Sequence, residues 1–428
     1  MTNQMTNELT TSTANCGCTD FTVSRRRFLA AAAAGAAGGV AASIFGDAFR
    51  EVAYGAVPGG NVLVVLSLRG GADGLSMVVP RGPDHARLAG YRPGIVVPAA
   101  SLIGGDTRFG LHPAFAPLLP MWQAGTFGAV HAIGLPTPNR SHFDAMEAVE
   151  DADAGSSLRR GWINRMVGLD SLALPETAVQ LGSSLLPTSL VGSAPALGVY
   201  QVSDLQIADL GTGAVKRKDS LRGMWGGDHT GMGDMVRSTL ATATRLGSLA
   251  TTDIPMTGYP NGQLKAVLAN TAALIKADVG TKVVTIDYGD WDMHSGLGGN
   301  DPALGWMRDQ VTHLAGSLKA FFADLGAASS RVTVATMSEF GRRVEQNGDN
   351  GVDHGYGNAM LLFGAGVNGG SVHGQWPGLA SLTDGDVSLG QDYRSVLWEV
   401  LSSRFPEVSG DRAQIFPNFV PETIGSMT

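Results

Sequence analysis

Cysteine is almost absent from this chain, with two residues among 428. Both of them, Cys16 and Cys18, precede a run of arginines near the amino terminus, so a mature chain that starts after this segment contains none. This excludes a disulfide scaffold, thiolate catalysis, thiolate zinc sites and iron–sulfur clusters. The stability of the mature protein must therefore come from core packing and from any metal that it binds.

Charged side chains are also scarce, at 16% of the residues, compared with roughly 25% in an average soluble domain. The 30 basic and 38 acidic residues give a net charge of −8, and no block of positive charge is present. A nucleic-acid partner is therefore not expected. Apolar residues make up an ordinary 44% of the chain, which argues against disorder. Glycine, with 59 residues, is in excess but lacks the three-residue period of collagen.

The amino-terminal segment has the pattern of an export signal. The sequence Arg-Arg-Arg-Phe-Leu at 25–29 precedes an alanine- and glycine-rich run at 30–44. This predicts a twin-arginine signal peptide over 1–55, although an alanine-rich surface helix is the alternative. Three glycines interrupt the run, so it is a poor permanent membrane span. We expect residues 56–428 to be a single exported domain, periplasmic or extracellular, whose partner during export is the twin-arginine translocase.

Short apolar runs alternate with segments of helical periodicity along the rest of the chain. The predicted strands are 61–68, 127–133, 282–287, 331–336 and 359–363, and the predicted helices are 113–123, 141–150, 158–168, 232–250, 262–277, 302–325 and 393–404. Continuous apolar strands between helices predict an α/β fold, in which a mostly parallel sheet is buried on both faces. A loop-rich stretch over 187–231 is interpreted as an insertion or a cap over the sheet.

Carboxylates and imidazoles follow several of the predicted strands, where ligands bind in α/β sheets. Asp353 and His354 precede the last strand and offer two metal ligands from one turn; the alternative is an aspartate that caps the turn beside a solvated histidine. His294 is a candidate ligand together with either Asp290 or Asp292, because both spacings bring the two side chains to one face. Oxygen and imidazole donors suit divalent ions such as Zn, Mn, Mg or Ca.

Three further positions carry an alternative that the sequence leaves open. Glu339 directly follows a buried strand and needs a cation there, either a metal or one of the arginines at 342 and 343. Ser141 begins a predicted helix, where it is either a nucleophile activated by a metal or an ordinary cap. Asp73, in a glycine-rich loop, is a metal ligand or a turn residue. The nucleotide-binding glycine patterns are absent.

These residues together resemble a bacterial family of twin-arginine-exported proteins, domain of unknown function 1501. The segments that carry the resemblance are Leu-Arg-Gly-Gly-Ala-Asp-Gly at 68–74, Leu-His-Pro at 111–113, Asn-Arg-Ser-His-Phe at 139–143, Trp-Asp-Met-His at 291–294, Ser-Glu-Phe-Gly-Arg-Arg at 338–343, Asp-His-Gly at 353–355 and Asp-Tyr-Arg at 392–394. The family is similar in fold to the alkaline phosphatase and sulfatase group. The resemblance implies a three-layer α/β/α sandwich.

The resemblance also implies roles for single residues. Ser141 matches the nucleophile, and His142 and Arg140 would steady the oxyanion. The implied metal ligands are Asp73, Asp292, His294, Glu339, Asp353 and His354, which would hold one or two divalent ions.

Two positions depart from the pattern of that group. Arg69 lies close to the usual place of the first aspartate, and Glu339 replaces an Asp-His pair. The sulfatase Cys-x-Pro-x-Arg signature is absent, so a formylglycine sulfatase is not expected.

The function that we expect from this resemblance is an exported, metal-dependent hydrolase of phosphate or sulfate esters, acting on a small molecule or a polymer. The alternative is a non-catalytic exported protein of the same fold that binds a cell-envelope polymer or a partner protein.

Overall fold

The central strand β1 (Val62–Leu68) lies between two parallel neighbours in a nine-stranded sheet. The computed structural model describes residues 59–428 except 154, 155, 157, 206–213, 229, 299–300 and 302–303. The predicted signal peptide therefore lies outside the described residues.

The large sheet has the strand order β10–β4–β9–β8–β1–β7–β5–β6, and β11 pairs with β4. The other strands are β2 (Val78–Pro80), β3 (Phe109–Leu111), β4 (Phe127–Gly134), β5 (Ala178–Leu181), β6 (Leu197–Val199), β7 (Val283–Tyr288), β8 (Val332–Met337), β9 (Asn358–Gly364), β10 (Val372–His373) and β11 (Gln391–Asp392). Strand β9 is antiparallel to β4 and β8, whereas the remaining pairings in this sheet are parallel. Strands β2 and β3 form a separate antiparallel pair.

The large sheet has α-helices on both faces. They are α1 (Gly74–Met77), α2 (Gly82–Tyr91), α3 (Leu119–Gln123), α4 (His142–Asp151), α5 (Trp162–Val167), α6 (Ala214–Trp225), α7 (Gly231–Arg245), α8 (Gly247–Ala250), α9 (Gln263–Ala277), α10 (Trp306–Leu325), α11 (Tyr393–Arg404) and α12 (Arg412–Ile415). None of the helices in the described ranges is both long and apolar enough to cross a membrane.

Strand β1 shows why the fold has three layers. Its side chains alternate between the two faces, and all seven residues are buried. Val64 and Leu66 join the apolar cluster that includes α9 and α10, whereas Leu63 and Val65 join the cluster that includes α4, α5 and α11. The predicted mostly parallel sheet between two helical layers is therefore confirmed.

The five predicted strands correspond to β1, β4, β7, β8 and β9, and each boundary agrees within one residue. The predicted helix over 113–123 begins instead as a 3₁₀ helix, Pro113–Leu118, which contains Pro117 and continues as α3. The stretch interpreted as an insertion or cap, 187–231, contains the edge strand β6 and helix α6.

The topology collects several loops at one edge of the sheet. Strands β7, β1 and β8 are parallel neighbours, so the loops that follow them leave from the same edge. Because β9 runs in the opposite direction, the loop that joins β8 to β9 starts and ends at that edge. Candidate site residues that lie far apart in the sequence are thereby brought close together.

We expect Leu66→Ala to lower the free energy of unfolding by about 2–5 kcal/mol, because the cavity that it leaves in the central strand cannot collapse fully. Leu66 is 0% exposed. Urea denaturation measures the change, and the control is Val420→Ala, at a position that is 81% exposed. A similar loss in both variants would contradict the central position of β1 in the core.

Candidate metal centre

Four side chains converge at this edge of the sheet, and we call them the histidine cluster: His142, Asp292, His294 and His354. Asp292 Oδ1 lies 3.1 Å from His294 Nε2, 3.5 Å from His354 Nε2 and 3.6 Å from His142 Nε2. The Nε2 atoms of His294 and His354 are 2.9 Å apart. Ligand atoms of His142, Asp292 and His354 all lie within 4.8 Å of one another. The start of α4, the loop after β7 and the loop before β9 supply these groups.

Carboxylates form hydrogen bonds with Nδ1 of two of the imidazoles, which is the ring nitrogen that faces away from the centre of the cluster. His142 Nδ1 lies 3.0 Å from Glu339 Oε1, and His294 Nδ1 lies 2.9 Å from Asp353 Oδ1. An ionised carboxylate only accepts hydrogen bonds, so each Nδ1 is the donor. In the neutral ring, the lone pair therefore belongs to Nε2, the nitrogen that faces the centre of the cluster.

The third imidazole is fixed by the backbone. His354 Nδ1 donates to the carbonyl oxygen of Arg140 at 2.8 Å, because a carbonyl can only accept. The ring of Phe340 packs against two of the imidazoles, with its centroid 4.9 Å from that of His142 and 4.7 Å from that of His354. In their neutral forms, all three histidines thus direct an Nε2 lone pair inward.

The donor set fits a divalent metal ion. When both rings are neutral, the Nε2 lone pairs of His294 and His354 face each other across 2.9 Å and repel each other. A shared proton or a metal cation between the two nitrogens removes this repulsion. The buried His142 Nε2 has no hydrogen-bond partner. Imidazole nitrogen and carboxylate oxygen are common metal ligands, and metal-binding histidines usually donate their other ring N–H to a carboxylate or carbonyl.

Arg342 joins the loops that carry the cluster. Its side chain is 0% exposed, and it donates to Asp292 Oδ1 at 2.6 Å and to the backbone carbonyls of Gly70, Gly71 and Val352. Its Nη1 also lies 3.5 Å from His294 Nε2. The guanidinium therefore fastens the loop after β1, the loop after β7 and the loop before β9 to one another.

The carboxylates of the site favour their ionised forms. Partial burial raises the pKa of Asp292, but the nearby imidazoles of His142 and His354 and the guanidinium of Arg342 bring this pKa well below its usual range. Burial likewise raises the pKa of Glu339, and the bonds from His142 and from backbone N–H groups lower it below its ordinary value. Burial lowers the pKa of His142, but the carboxylates of Asp292 and Glu339 outweigh this effect and raise it to about 9.

Glu339 does not enter the cluster directly but supports it. It is 4% exposed, and its Oε1 accepts hydrogen bonds from the backbone N–H of Gly70 at 2.8 Å and from His142. Its Oε2 accepts from the hydroxyl of Ser338 at 3.2 Å. Asp353 has a similar place, because its Oδ1 accepts from His294 and, at 3.0 Å, from Asn347. Glu339 and Asp353, both predicted as metal ligands, therefore each accept a hydrogen bond from the Nδ1 of a histidine.

Asp73 lies apart from the cluster, in a buried ion pair. Its Oδ2 is 2.5 Å from Arg92 Nη1, its Oδ1 is 3.1 Å from Arg92 Nη2, and Ser76 donates a hydrogen bond to Oδ2 as well.

Asp290 also lies outside the cluster, with its carboxylate accepting a hydrogen bond from Gln263 at 2.5 Å. Of the two aspartates in that loop, the structure brings Asp292 to His294.

The start of α4 carries two residues for which the sequence predicts a catalytic role. Ser141 occupies the N-cap position, yet its side chain makes no capping hydrogen bond, so the hydroxyl does not cap the first turn of the helix. The guanidinium of Arg140, predicted to bind an oxyanion, is instead bonded to Asp384 at 2.8 Å and to the buried Asp386. Its backbone carbonyl is the part of Arg140 that contacts the histidine cluster.

The sequence reasoning missed several partners. Arg92 follows Asp73 by 19 residues, and Asp386 lies 246 residues beyond Arg140, so no local pattern connects them. The sequence predicts Arg342 only as a partner of Glu339, whereas the structure shows it bonded to Asp292. Its position in the Ser-Glu-Phe-Gly-Arg motif after a buried strand is the signal that could have found it.

Comparison with known proteins gives one family match and several distant structures. The family described as "Protein of unknown function (DUF1501)" matches residues 223–392. No match is found among curated proteins.

Three solved structures illustrate the distant likeness. The C-terminal periplasmic domain of EcEptC from Escherichia coli, in complex with Zn, has 10% identity and a TM-score of 0.37, covering 85% of this chain and 88% of that one. Alkaline phosphatase from the Antarctic bacterium TAB5 has 12% identity and a TM-score of 0.28, covering 72% and 92%. The PsFucS1 sulfatase from Pseudoalteromonas sp. has 14% identity and a TM-score of 0.29, covering 73% and 64%. At TM-scores below 0.5, these likenesses carry no argument about chemistry.

Gly70→Ala is expected to disrupt the histidine cluster. Gly70 has a φ of +113°, and a Cβ there would lie 2.6 Å from the backbone nitrogen of Asp292. We expect a loss of more than about 1 kcal/mol in the free energy of unfolding, together with weaker metal binding. The matched control is Gly125→Ala, with a φ of +73° but no atom within 4 Å of a Cβ. Denaturation and metal titration measure both effects, and equal behaviour of the two variants would contradict the role of Gly70.

Asp73→Asn is expected to cost about 3–5 kcal/mol of stability at neutral pH, because it leaves the guanidinium of Arg92 buried without its charge partner. Burial raises the pKa of Asp73, but Arg92 outweighs it, and the net pKa lies below the ordinary value. The stabilisation is therefore complete above the unfolded-state pKa of about 3.9 and is lost as the pH falls through the folded-state value.

Guanidinium denaturation between pH 7 and pH 2 tests this prediction. The control is Asp219→Asn, which removes an exposed pair with Arg222 and should cost less than about 1 kcal/mol. A wild-type protein whose stability advantage over Asp73→Asn does not shrink in acid would refute the assignment.

Proposed function

We propose that this protein is a metal-dependent hydrolase of phosphate or sulfate esters. The observation that carries the proposal is the convergence of three imidazole Nε2 atoms and one carboxylate oxygen beside the start of α4. A divalent ion held by His142, Asp292, His294 and His354 would supply Lewis-acid stabilisation of the charge that develops on the ester oxygens. Asp73 and the guanidinium of Arg140 are not part of this proposal, because each is engaged in an ion pair elsewhere.

Ser141 is the proposed nucleophile. Its hydroxyl makes no capping bond, and it lies at the amino terminus of the ten-residue helix α4, directly before His142. The first backbone N–H groups of a helix have no intrahelical partners and favour an anion. They would therefore stabilise the negative oxygens of a phosphoryl or sulfuryl group near Ser141.

The proposed reaction has two displacements. Ser141 Oγ forms a bond to phosphorus or sulfur while the bond to the alcohol oxygen breaks, and the alcohol leaves with the proton that the serine loses. Water then attacks the same atom and cleaves its bond to Oγ, which releases phosphate or sulfate and restores the serine hydroxyl. The first displacement transfers the group to the serine and the second consumes one water molecule, so no oxidant or further substrate is needed.

The site of action is part of the same proposal. The arginine motif at 25–29 supports export through the twin-arginine translocase, followed by function in the periplasm or outside the cell. The substrate class is then a small-molecule or polymer ester that is accessible outside the cytoplasm.

A second candidate is a non-catalytic exported protein that binds a cell-envelope polymer or a partner protein. One observation favours it: four protein groups already face the centre of the cluster, and structural zinc sites use four ligands, whereas catalytic sites usually keep a position open. The two candidates differ in whether Ser141 is required for any hydrolysis.

Ser141→Ala should lower kcat by at least about a hundredfold while leaving the metal content unchanged, because it removes only the attacking oxygen. The assay is a screen of phosphomonoesters, phosphodiesters and sulfate esters with the purified mature protein, combined with elemental analysis. The exposed Ser184 provides the control variant, Ser184→Ala, which should retain full activity. Full activity in Ser141→Ala would refute the mechanism, and metal binding without hydrolysis of any ester class would favour the second candidate.

A further inference from the structure

We propose that Asp386 is a positioning residue of the histidine cluster. Through the guanidinium of Arg140, it holds in place the backbone carbonyl that accepts the Nδ1 proton of His354. This inference rests on the proposed function, which needs His354 to present its other nitrogen to a cation. It adds to that function a residue that lies outside the cluster and touches none of its side chains.

Among the three imidazoles, His354 has the weakest acceptor for its outer proton. The Nδ1 atoms of His142 and His294 face carboxylates at 3.0 and 2.9 Å, whereas Nδ1 of His354 faces an uncharged carbonyl at 2.8 Å. Hydrogen bonds to an ionised acceptor are roughly twice as strong as those between neutral groups. The tautomer of His354 therefore depends most on how firmly its acceptor is held.

Two inner groups compete for the proton of the neutral His354 ring. Its Nε2 lies 2.9 Å from His294 Nε2 and 3.5 Å from Asp292 Oδ1, and both of these atoms can accept a proton. A proton on Nε2 would leave the lone pair of the ring on the outer nitrogen. The carbonyl of Arg140 favours the opposite tautomer, and a displaced carbonyl would shift the balance toward Nε2–H.

The backbone of Arg140 lies outside regular structure, in the segment that joins β4 to α4, directly before the N-cap residue Ser141. Its side chain is bonded at Nη2 to Asp384, at 2.8 Å, and to Asp386. The side chain of Asp384 is 72% exposed, whereas that of Asp386 is 1% exposed. Because water weakens an exposed ion pair, Asp386 is the partner that fixes Arg140.

The turn that carries Asp386 is attached to the framework of the site. Thr383 and Asp386 donate backbone hydrogen bonds to each other, both at 3.0 Å, and the carbonyl of Gly385 accepts from the N–H of Val344 at 3.2 Å. Val344 follows closely after Arg342, whose guanidinium fastens the loops of the cluster to one another. Asp386 therefore connects Arg140 to the same framework that positions the cluster.

The ion pair itself is a poor source of stability. Within the part of the chain that the structure describes, the buried Nε of Arg140 and the buried Oδ1 of Asp386 have no hydrogen-bond partner. Buried polar atoms without partners cost free energy, and a buried ion pair contributes little to stability on its own. Holding the carbonyl behind His354 is a role that accounts for the pair.

Nitrogen-15 NMR of the purified full chain after metal removal reports which ring nitrogen of His354 carries the proton, and His354→Gln identifies its signals. We expect mainly Nδ1–H in the wild-type protein and a shift toward Nε2–H in Asp386→Ala, with at least about a tenfold loss of Zn²⁺ affinity. The matched control is Asp384→Ala, which removes the exposed carboxylate from the same nitrogen of Arg140. It should leave the tautomer unchanged and the affinity within about twofold.

Circular dichroism checks the folding of each variant. Asp386→Asn keeps the size of the side chain and one acceptor oxygen, so it gives a smaller shift in the same direction and serves if Asp386→Ala does not fold. An unchanged His354 tautomer in a folded Asp386 variant, or an equal shift in Asp384→Ala, would overturn the inference.

The proposed function can fail separately from this inference. A shifted tautomer in Asp386→Ala, in a protein whose wild type hydrolyses no ester, would support the positioning role and contradict only the proposed function. Ester hydrolysis by the wild type, together with an unchanged tautomer and unchanged Zn²⁺ affinity in the Asp386 variants, would overturn this inference alone.

Discussion

The buried guanidinium of Arg342 is the constraint on which the site depends. A charge that is fully removed from water is costly unless its donors are satisfied, and Arg342 satisfies them with three backbone carbonyls and the carboxylate of Asp292. These acceptors belong to three different loops at one edge of the sheet. The bonds thus fix Asp292 beside the histidines and hold together loops that lie far apart in the sequence.

The histidine cluster and the groups around it have different tasks. The cluster presents three Nε2 atoms and one carboxylate oxygen, whereas Glu339, Asp353 and the carbonyl of Arg140 fix the rings from outside. Arg69, which follows β1 at the same edge of the sheet, is paired with Glu150 at 2.6 Å and with Asp287 at 2.8 Å.

Local sequence patterns predicted the parts of the fold that depend on local physics. The apolar run of β1 and the periodicity of α9 identify their elements, because burial on both faces and one-sided packing leave a regular pattern. The same reasoning brought His294 and His354 to one edge of the sheet. It could not find that Asp73 pairs with Arg92, or that Asp386 holds Arg140, since such pairings depend on tertiary packing between distant segments.

The central claim is that a divalent metal ion binds at the histidine cluster, and anomalous X-ray scattering from crystals of the zinc-loaded protein tests it most directly. The account predicts an anomalous peak at the zinc absorption edge among the ligand atoms of His142, Asp292 and His354, which lie within 4.8 Å of one another. A crystal with no peak among these three side chains, or with its peak at Asp73 or Glu339, would contradict it.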